Sequence, residues 1–275
     1  MFRTQKYLLA ILGSLFFVGQ AQASLITNWS FSSNTTWDTA DTVFTDGGGT
    51  TINESDLISW GATGGDHTVS GLSSFDSRSA IGIGGSSVVG TVETNGAPAT
   101  ETAVLTHYNN AIRLSFSILE SATLVTDLIL TPLLPEVGDP LAPLSRRIAT
   151  SFIETPNTSE IEDCGFETET RCDDIFVVDA TGLSSSFEIN GWMYHVNFAL
   201  GAGTIGPLTD LQCAAAGVDS GCVGFTTPEN AQTDIGLALT ITARPVPEPS
   251  IVALFGLGLL AMGLVRVRRN KKFAA

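Results

Sequence analysis

The chain has 275 residues, 43% of them hydrophobic, and its 28 Asp plus Glu against 13 Lys plus Arg give a formal net charge of −15. That length fits one large domain or two small ones. The acidity excludes nucleic-acid binding through counterion release and leaves diffuse attraction of divalent cations.

The charge is segregated. Between Ser24 and Arg244 there is no Lys, and six Arg stand against 27 Asp plus Glu, a net charge of −21. The basic residues gather at the two ends. At the N-terminus Arg3 and Lys6 precede an apolar run, Tyr7 to Gly19, and Ala21-Gln22-Ala23 has the small-x-small form of a signal-peptidase site. Residues 1–23 are expected to be a signal peptide cut between Ala23 and Ser24, which places the body outside the cytoplasm.

The body, residues 24–244, reads as β throughout, with no long stretch carrying a helical stripe. Leu25–Phe31 opens it as a strand. Gly47-Gly48-Gly49 and Gly61 to Gly65 mark turns, with a further strand expected near Val69–Leu72. Gly82-Ile83-Gly84-Gly85-Ser86-Ser87 lacks the third glycine and the following helix of a dinucleotide loop, so it is read as a turn. Strands follow near Ser87–Glu93 and Ala103–Tyr108. Ala111 to Ile118 alternates apolar and polar and predicts another strand with one buried face. After Ala122–Leu130, the proline-rich stretch Pro132 to Pro143 is read as a long connection crossing one end of a sandwich. Ile148–Ile153 and Ile175–Val178 are further strands. Phe187-Glu188-Ile189, Asn190-Gly191 and Trp192 to Phe198 predict a tight hairpin, because a two-residue turn needs positive φ at both centres. Asp234–Ile241 closes the set. Many short strands separated by Gly, Ser, Asn and Asp indicate an all-β body, a β-sandwich or jelly roll.

Four cysteines, Cys164, Cys172, Cys213 and Cys222, allow three pairings. The local pairs are favoured, since each brackets a short turn-rich loop, and closing such loops contributes about 2–3 kcal/mol each. Zinc is disfavoured by the wide spacings and the lack of a neighbouring His. The run Glu160, Glu162, Asp163, Glu167, Glu169, Asp173 and Asp174 beside the first pair is read as a solvated acidic loop. Calcium with oxygen ligands is the one candidate cofactor there. Trp29, Trp37 and Trp60 are expected in the core, with sugar stacking as the alternative.

The tail, residues 245–275, carries Pro247-Glu248-Pro249, the apolar run Ile251 to Val265, and then Arg266, Arg268, Arg269, Lys271 and Lys272. As a helix the run spans about 22 Å, short against roughly 30 Å of hydrocarbon but insertable with snorkelling basic stems. This tripartite tail resembles the PEP-CTERM sorting signal. The resemblance implies recognition and cutting by an exosortase after a transient stage in the inner membrane, then delivery to the cell surface or extracellular matrix.

Thr106-His107-Tyr108-Asn109, together with Cys222 to Glu229, is similar to the THxN family of PEP-CTERM proteins. His107 and Asn109, two apart, face the same way on a strand. They either brace a turn or bind a glycan or metal, and bracing is the expected role. His67, His107 and His195 are the only histidines, and their spacing does not require a metal site. The expected function is non-enzymatic: a structural or adhesive surface component associated with exopolysaccharide and biofilm. A carbohydrate-binding module is the alternative, a secreted hydrolase the third reading. The expected partners are signal peptidase and exosortase during export and matrix components afterwards, with no nucleic acid.

Overall fold

A computed structural model describes residues 24–62, 78–113, 115–136, 138–156, 164–168, 172–200 and 205–246, with Gly256, Gly258 and Leu259 in the tail. The signal segment, the expected strand Val69–Leu72, His67 and the Pro247–Pro249 motif lie outside the described residues. The larger of two compact units is Ile26–Phe187 with Tyr194–Ala243; the smaller takes in Glu188–Met193 and the chain from Arg244.

The fold is all-β. Its strands are β1 (Asn28–Trp37), β2 (Val43–Phe44), β3 (Thr50–Asn53), β4 (Leu57–Ala62), β5 (Ser79–Gly84), β6 (Ser87–Glu93), β7 (Thr100–Asn109) and β8 (Leu119–Leu134). They continue as β9 (Leu144–Ile153), β10 (Asp174–Val178), β11 (Ser184–Ile189), β12 (Trp192–Leu200), β13 (Gly206–Pro207), β14 (Val223–Thr227) and β15 (Ala231–Pro245). One short helix, α1 (Asp210–Ala215), precedes β14.

The strands form two sheets. The first runs β13-β14-β10-β9-β8-β1-β6, with β2 added against β8; the second runs β11-β12-β15-β7-β5-β4-β3. Alternation decides which side chains face inward. On β1 the buried positions are Trp29, Phe31, Ser33, Thr35 and Trp37, and on β15 they are Ile235, Leu237, Leu239 and Ile241. Side chains of the two sheets meet between them, as where Tyr194 of β12 lies 5.2 Å from Trp29 of β1, ring to ring. The three tryptophans read as core residues are all buried: Trp29, Trp37 and Trp60.

Asn190 and Gly191 take φ of 53° and 71°, the left-handed pair that a two-residue hairpin turn requires. Within the smaller unit the Val246 N–H donates to the Gly191 carbonyl at 2.8 Å.

Two expectations are corrected. The described residues of Ala111 to Ile118, all but Leu114, form no strand: Phe116 N–H donates to Arg113 C=O in a turn, and an isolated bridge joins Phe116 to Gly48. Burial alternates only at its start, where Ile112 is buried between exposed Ala111 and Arg113. Ile112 fills the space over Gly61, where an added Cβ would sit 2.1 Å from its Cδ1. The segment is therefore a packed crossover, not a ladder. The proline-rich stretch also does not cross the sandwich. Residues 135–143 join β8 to β9, which are adjacent and antiparallel with Leu128 opposite Leu144, so they form a hairpin loop within one sheet.

Candidate functional site

Register places an ordered set of side chains on the inner face of β9, β10 and β14. Phe176 is opposite Phe152 on one side and Phe225 on the other. Their rings form a continuous row with centroids 4.6 Å apart in both pairs, Phe176 stacked on Phe225 and tilted against Phe152. Two residues toward the strand ends, the same face carries Glu154, Asp174 and Thr227. Asp174 is opposite Thr227, and Glu154 follows Ile153, which pairs with Ile175. An apolar row thus gives way to a polar row at the rim.

The facing sheet supplies Trp60 from β4 and His107 and Asn109 from β7. His107 lies between the two rows. Trp60 stacks on its ring at 5.9 Å, and Phe152 and Phe176 meet it edge-on at 5.7 and 5.0 Å. His107 Nδ1 shares a 3.0 Å hydrogen bond with Thr227 Oγ1. Asn109 Nδ2 donates to the Thr227 carbonyl at 3.0 Å. His107 and Asn109 do share one face, and that face is the interior: both side chains are 0% exposed. Thr106 points the other way, its hydroxyl donating to Asp234 Oδ1 at 2.7 Å on β15. The two segments singled out in the sequence, Thr106–Asn109 and Cys222–Glu229, therefore meet at Thr227.

The acidic residues of the rim converge. Glu154, Asp174 and Glu229 each offer a carboxylate oxygen, and these oxygens lie within 4.8 Å of one another. Trp60 Nε1 donates to Glu154 Oε2 at 3.3 Å. Asp174 Oδ1 accepts from Thr155 N–H at 2.9 Å. Burial, reinforced by Glu229 and opposed by the Trp60 hydrogen bond, pushes Glu154 up to about 8. Asp174 is held well above the usual carboxylate range by burial first and Glu154 second. Burial and then Asp173 raise Glu229 to about 7. Burial alone lowers His107 to about 3, so the imidazole is neutral. Seven buried side-chain atoms among the described residues have no hydrogen-bond partner, and four of them are here: His107 Nε2, Asn109 Oδ1, Glu154 Oε1 and Asp174 Oδ2.

Both disulfides flank the strands that deliver this rim. Cys164 is bonded to Cys172, two residues before β10, and Cys213 to Cys222, one residue before β14. Thr155 Oγ1 donates to the Cys172 carbonyl. Helix α1 is closed by a capping box between Thr209 and Gln212, and Gln212 Nε2 reaches across to the Glu167 carbonyl at 3.0 Å.

Of the acidic loop residues flagged in the sequence, Glu160, Glu162, Asp163 and Glu169 lie outside the described residues. Asp174 turns into the rim instead of into solvent. His195 sits between buried Tyr194 and Val196 and faces the other side of its strand from them, away from the face that His107 occupies on its own sheet. Glu154 and Glu229 were not singled out as ligands. Strand phase carried the signal for the first, since 148, 152 and 154 share one face of β9 and its extension.

Residues 245–269 match the family described as the PEP-CTERM protein-sorting motif. The motif marks an exosortase-sorted, exported protein with a cell-surface destination. No curated protein matches the chain. Among the described residues no helix is long and apolar enough to cross a membrane.

Proposed function

We propose that the chain is a PEP-CTERM protein of the THxN type that serves as a non-enzymatic structural or adhesive component of an exopolysaccharide matrix. Signal peptidase cuts between Ala23 and Ser24, residues 251–265 hold the protein transiently in the inner membrane, and exosortase action at Pro247-Glu248-Pro249 releases it to the surface. The observation that carries the non-enzymatic part is the placement of the tetrapeptide. His107 and Asn109 are 0% exposed between the sheets, and each makes one hydrogen bond to Thr227, as bracing groups do. The rim carboxylates support the same reading against a hydrolase, since Asp174 is 0% exposed and faces the interior, not a groove.

The test measures thermal unfolding and binding to purified host exopolysaccharide on one preparation of wild type and of His107→Ala. A bracing His107 gives a lower Tm and unchanged binding per folded molecule. An unchanged Tm with lost binding makes Thr106–Asn109 a recognition site and favours the carbohydrate-binding module. No binding by the wild type defeats the matrix reading.

A further inference from the structure

Three carboxylates with oxygens within 4.8 Å of one another repel strongly in a low-dielectric setting unless protons or a cation stand between them. Two further observations point to a ligand. Asp174 is fully buried, its Oδ1 is already used by Thr155, and its Oδ2 has no partner. Across the sandwich Asn109, also fully buried, commits its amide nitrogen to Thr227, the residue opposite Asp174, and leaves its carbonyl oxygen unpartnered. Every group in this set that lacks a partner, apart from the His107 nitrogen, is an acceptor. Oxygen acceptors grouped in this way are the ligands a hard cation takes.

We propose that the rim of the sandwich is a calcium site, with Glu154, Asp174 and Glu229 supplying carboxylate oxygens and the Asn109 side-chain carbonyl completing the inner face. An all-oxygen donor set selects hard cations. Calcium–oxygen distances of about 2.3–2.6 Å place opposite ligands about 4.6–5.2 Å apart, so calcium enters without collapse of the cluster. The route in is short. Asp174 begins β10, Asn109 ends β7, and Glu154 and Glu229 follow β9 and β14, so all four stand at strand ends. The disulfides anchor the approaches to β10 and β14 on which two of the carboxylates depend. The acidity of the body raises the local calcium concentration, and extracellular modules bind calcium at about 0.1–1 mM.

The experiment uses the full chain, disulfides formed, stripped with EGTA and dialysed. Thermal unfolding is followed with 10 mM calcium, with 10 mM magnesium and with sodium chloride at matched ionic strength, and calcium stoichiometry is measured by equilibrium dialysis. The expected result is one calcium per chain at this site and a Tm rise of about 5–10 °C, with magnesium giving at most a small fraction of it. Asp174→Asn keeps shape and removes charge; it abolishes the calcium-dependent rise while its calcium-free Tm stays at or above that of wild type. If that variant fails to fold, Glu229→Gln at the outer edge carries the same test. An unshifted wild-type Tm at 10 mM calcium overturns the proposal, because protons then satisfy the cluster. So does retention of the shift in both variants, which places the ion elsewhere, and so does an equal response to magnesium.

Discussion

Two aromatic clusters fill the sandwich, and they are finished differently. Around Trp29, Phe187 packs edge-on at 5.8 Å and Tyr194 at 5.2 Å, and the two rings stack on each other. There the polar handles are used: Trp29 Nε1 donates to Thr94 Oγ1, and the Tyr194 hydroxyl accepts from Ile26 N–H, both at 2.9 Å. Around Trp60 the packing is equally close, yet His107, Asn109, Glu154 and Asp174 each keep a buried atom with no partner. An unpaired buried polar atom costs about 1–3 kcal/mol. The Trp29 cluster therefore reads as built for stability alone, while the Trp60 cluster carries a cost that stability alone does not explain. Polar incompleteness, not aromatic content, separates them.

Trp29→Ala removes the largest side chain of a saturated cluster and is expected to cost about 3–5 kcal/mol. Denaturant unfolding measures it, and the loss is the same in EGTA and in calcium because nothing at Trp29 answers to a cation. A calcium-dependent loss would mean that the two clusters are not separable.

The second test is pH, in EGTA. Glu154 and Glu229 have folded-state values near 8 and 7, above the ordinary glutamate value. The folded protein then binds more protons than the unfolded chain, so this contribution is fully present below about pH 4.5 and is lost as pH rises through 7 to 8. The total is on the order of a few kcal/mol. His107 works in the opposite sense. Its folded value near 3 lies below the ordinary 6.5, so its neutral burial favours folding above pH 6.5 and loses that advantage as pH falls toward 3. Tm should therefore fall from pH 5 to pH 8, and His107→Gln should steepen the decline on the acid side, between pH 5 and about 6.5, where His107 opposes it. A Tm that rises steadily from pH 5 to 8 would refute the raised carboxylates.

The saturated Trp29 cluster can itself be made incomplete. Thr94→Val leaves Trp29 Nε1 without its acceptor and should cost about 1–2 kcal/mol. Loss of the hydroxyl also frees the Ile26 carbonyl, to which Thr94 donates at 2.6 Å. A cost indistinguishable from zero would show that an orphaned indole N–H is tolerated here, and would weaken the meaning of the orphans around Trp60.

The strands were legible because period two survives in the sequence wherever one face is buried. Asn190-Gly191 was legible because few residue pairs accept two positive φ values. Ala111–Ile118 shows the limit of the same signal. Alternation reports which side chains go inward, and it says nothing about whether the backbone finds a neighbouring strand. The rim escaped for a related reason. Glu154 is in phase with Ile148 and Phe152, and Asp174 with Phe176 and Val178, so each points inward; but that they meet depends on the order β9-β10-β14, which no local pattern encodes. The adjacency of His107 to Thr227, 120 residues apart, is likewise a product of sheet packing.

The strand that leads to the sorting motif has a mechanical consequence. Over Ala231–Leu239, β15 is an interior strand, paired with β7 from Asn109 to Thr100 on one side and neighboured by β12 on the other. While the proposed membrane segment 251–265 still holds the chain, before exosortase acts, a pull on the body passes through that strand. An edge strand would peel one bond at a time. An interior strand drawn along its own axis must shear both ladders together, so the pull is spread over many hydrogen bonds at once. Resistance to such a load is set by the unfolding rate and not by equilibrium stability, which makes the grip on β15 the property that decides how long a tethered molecule holds.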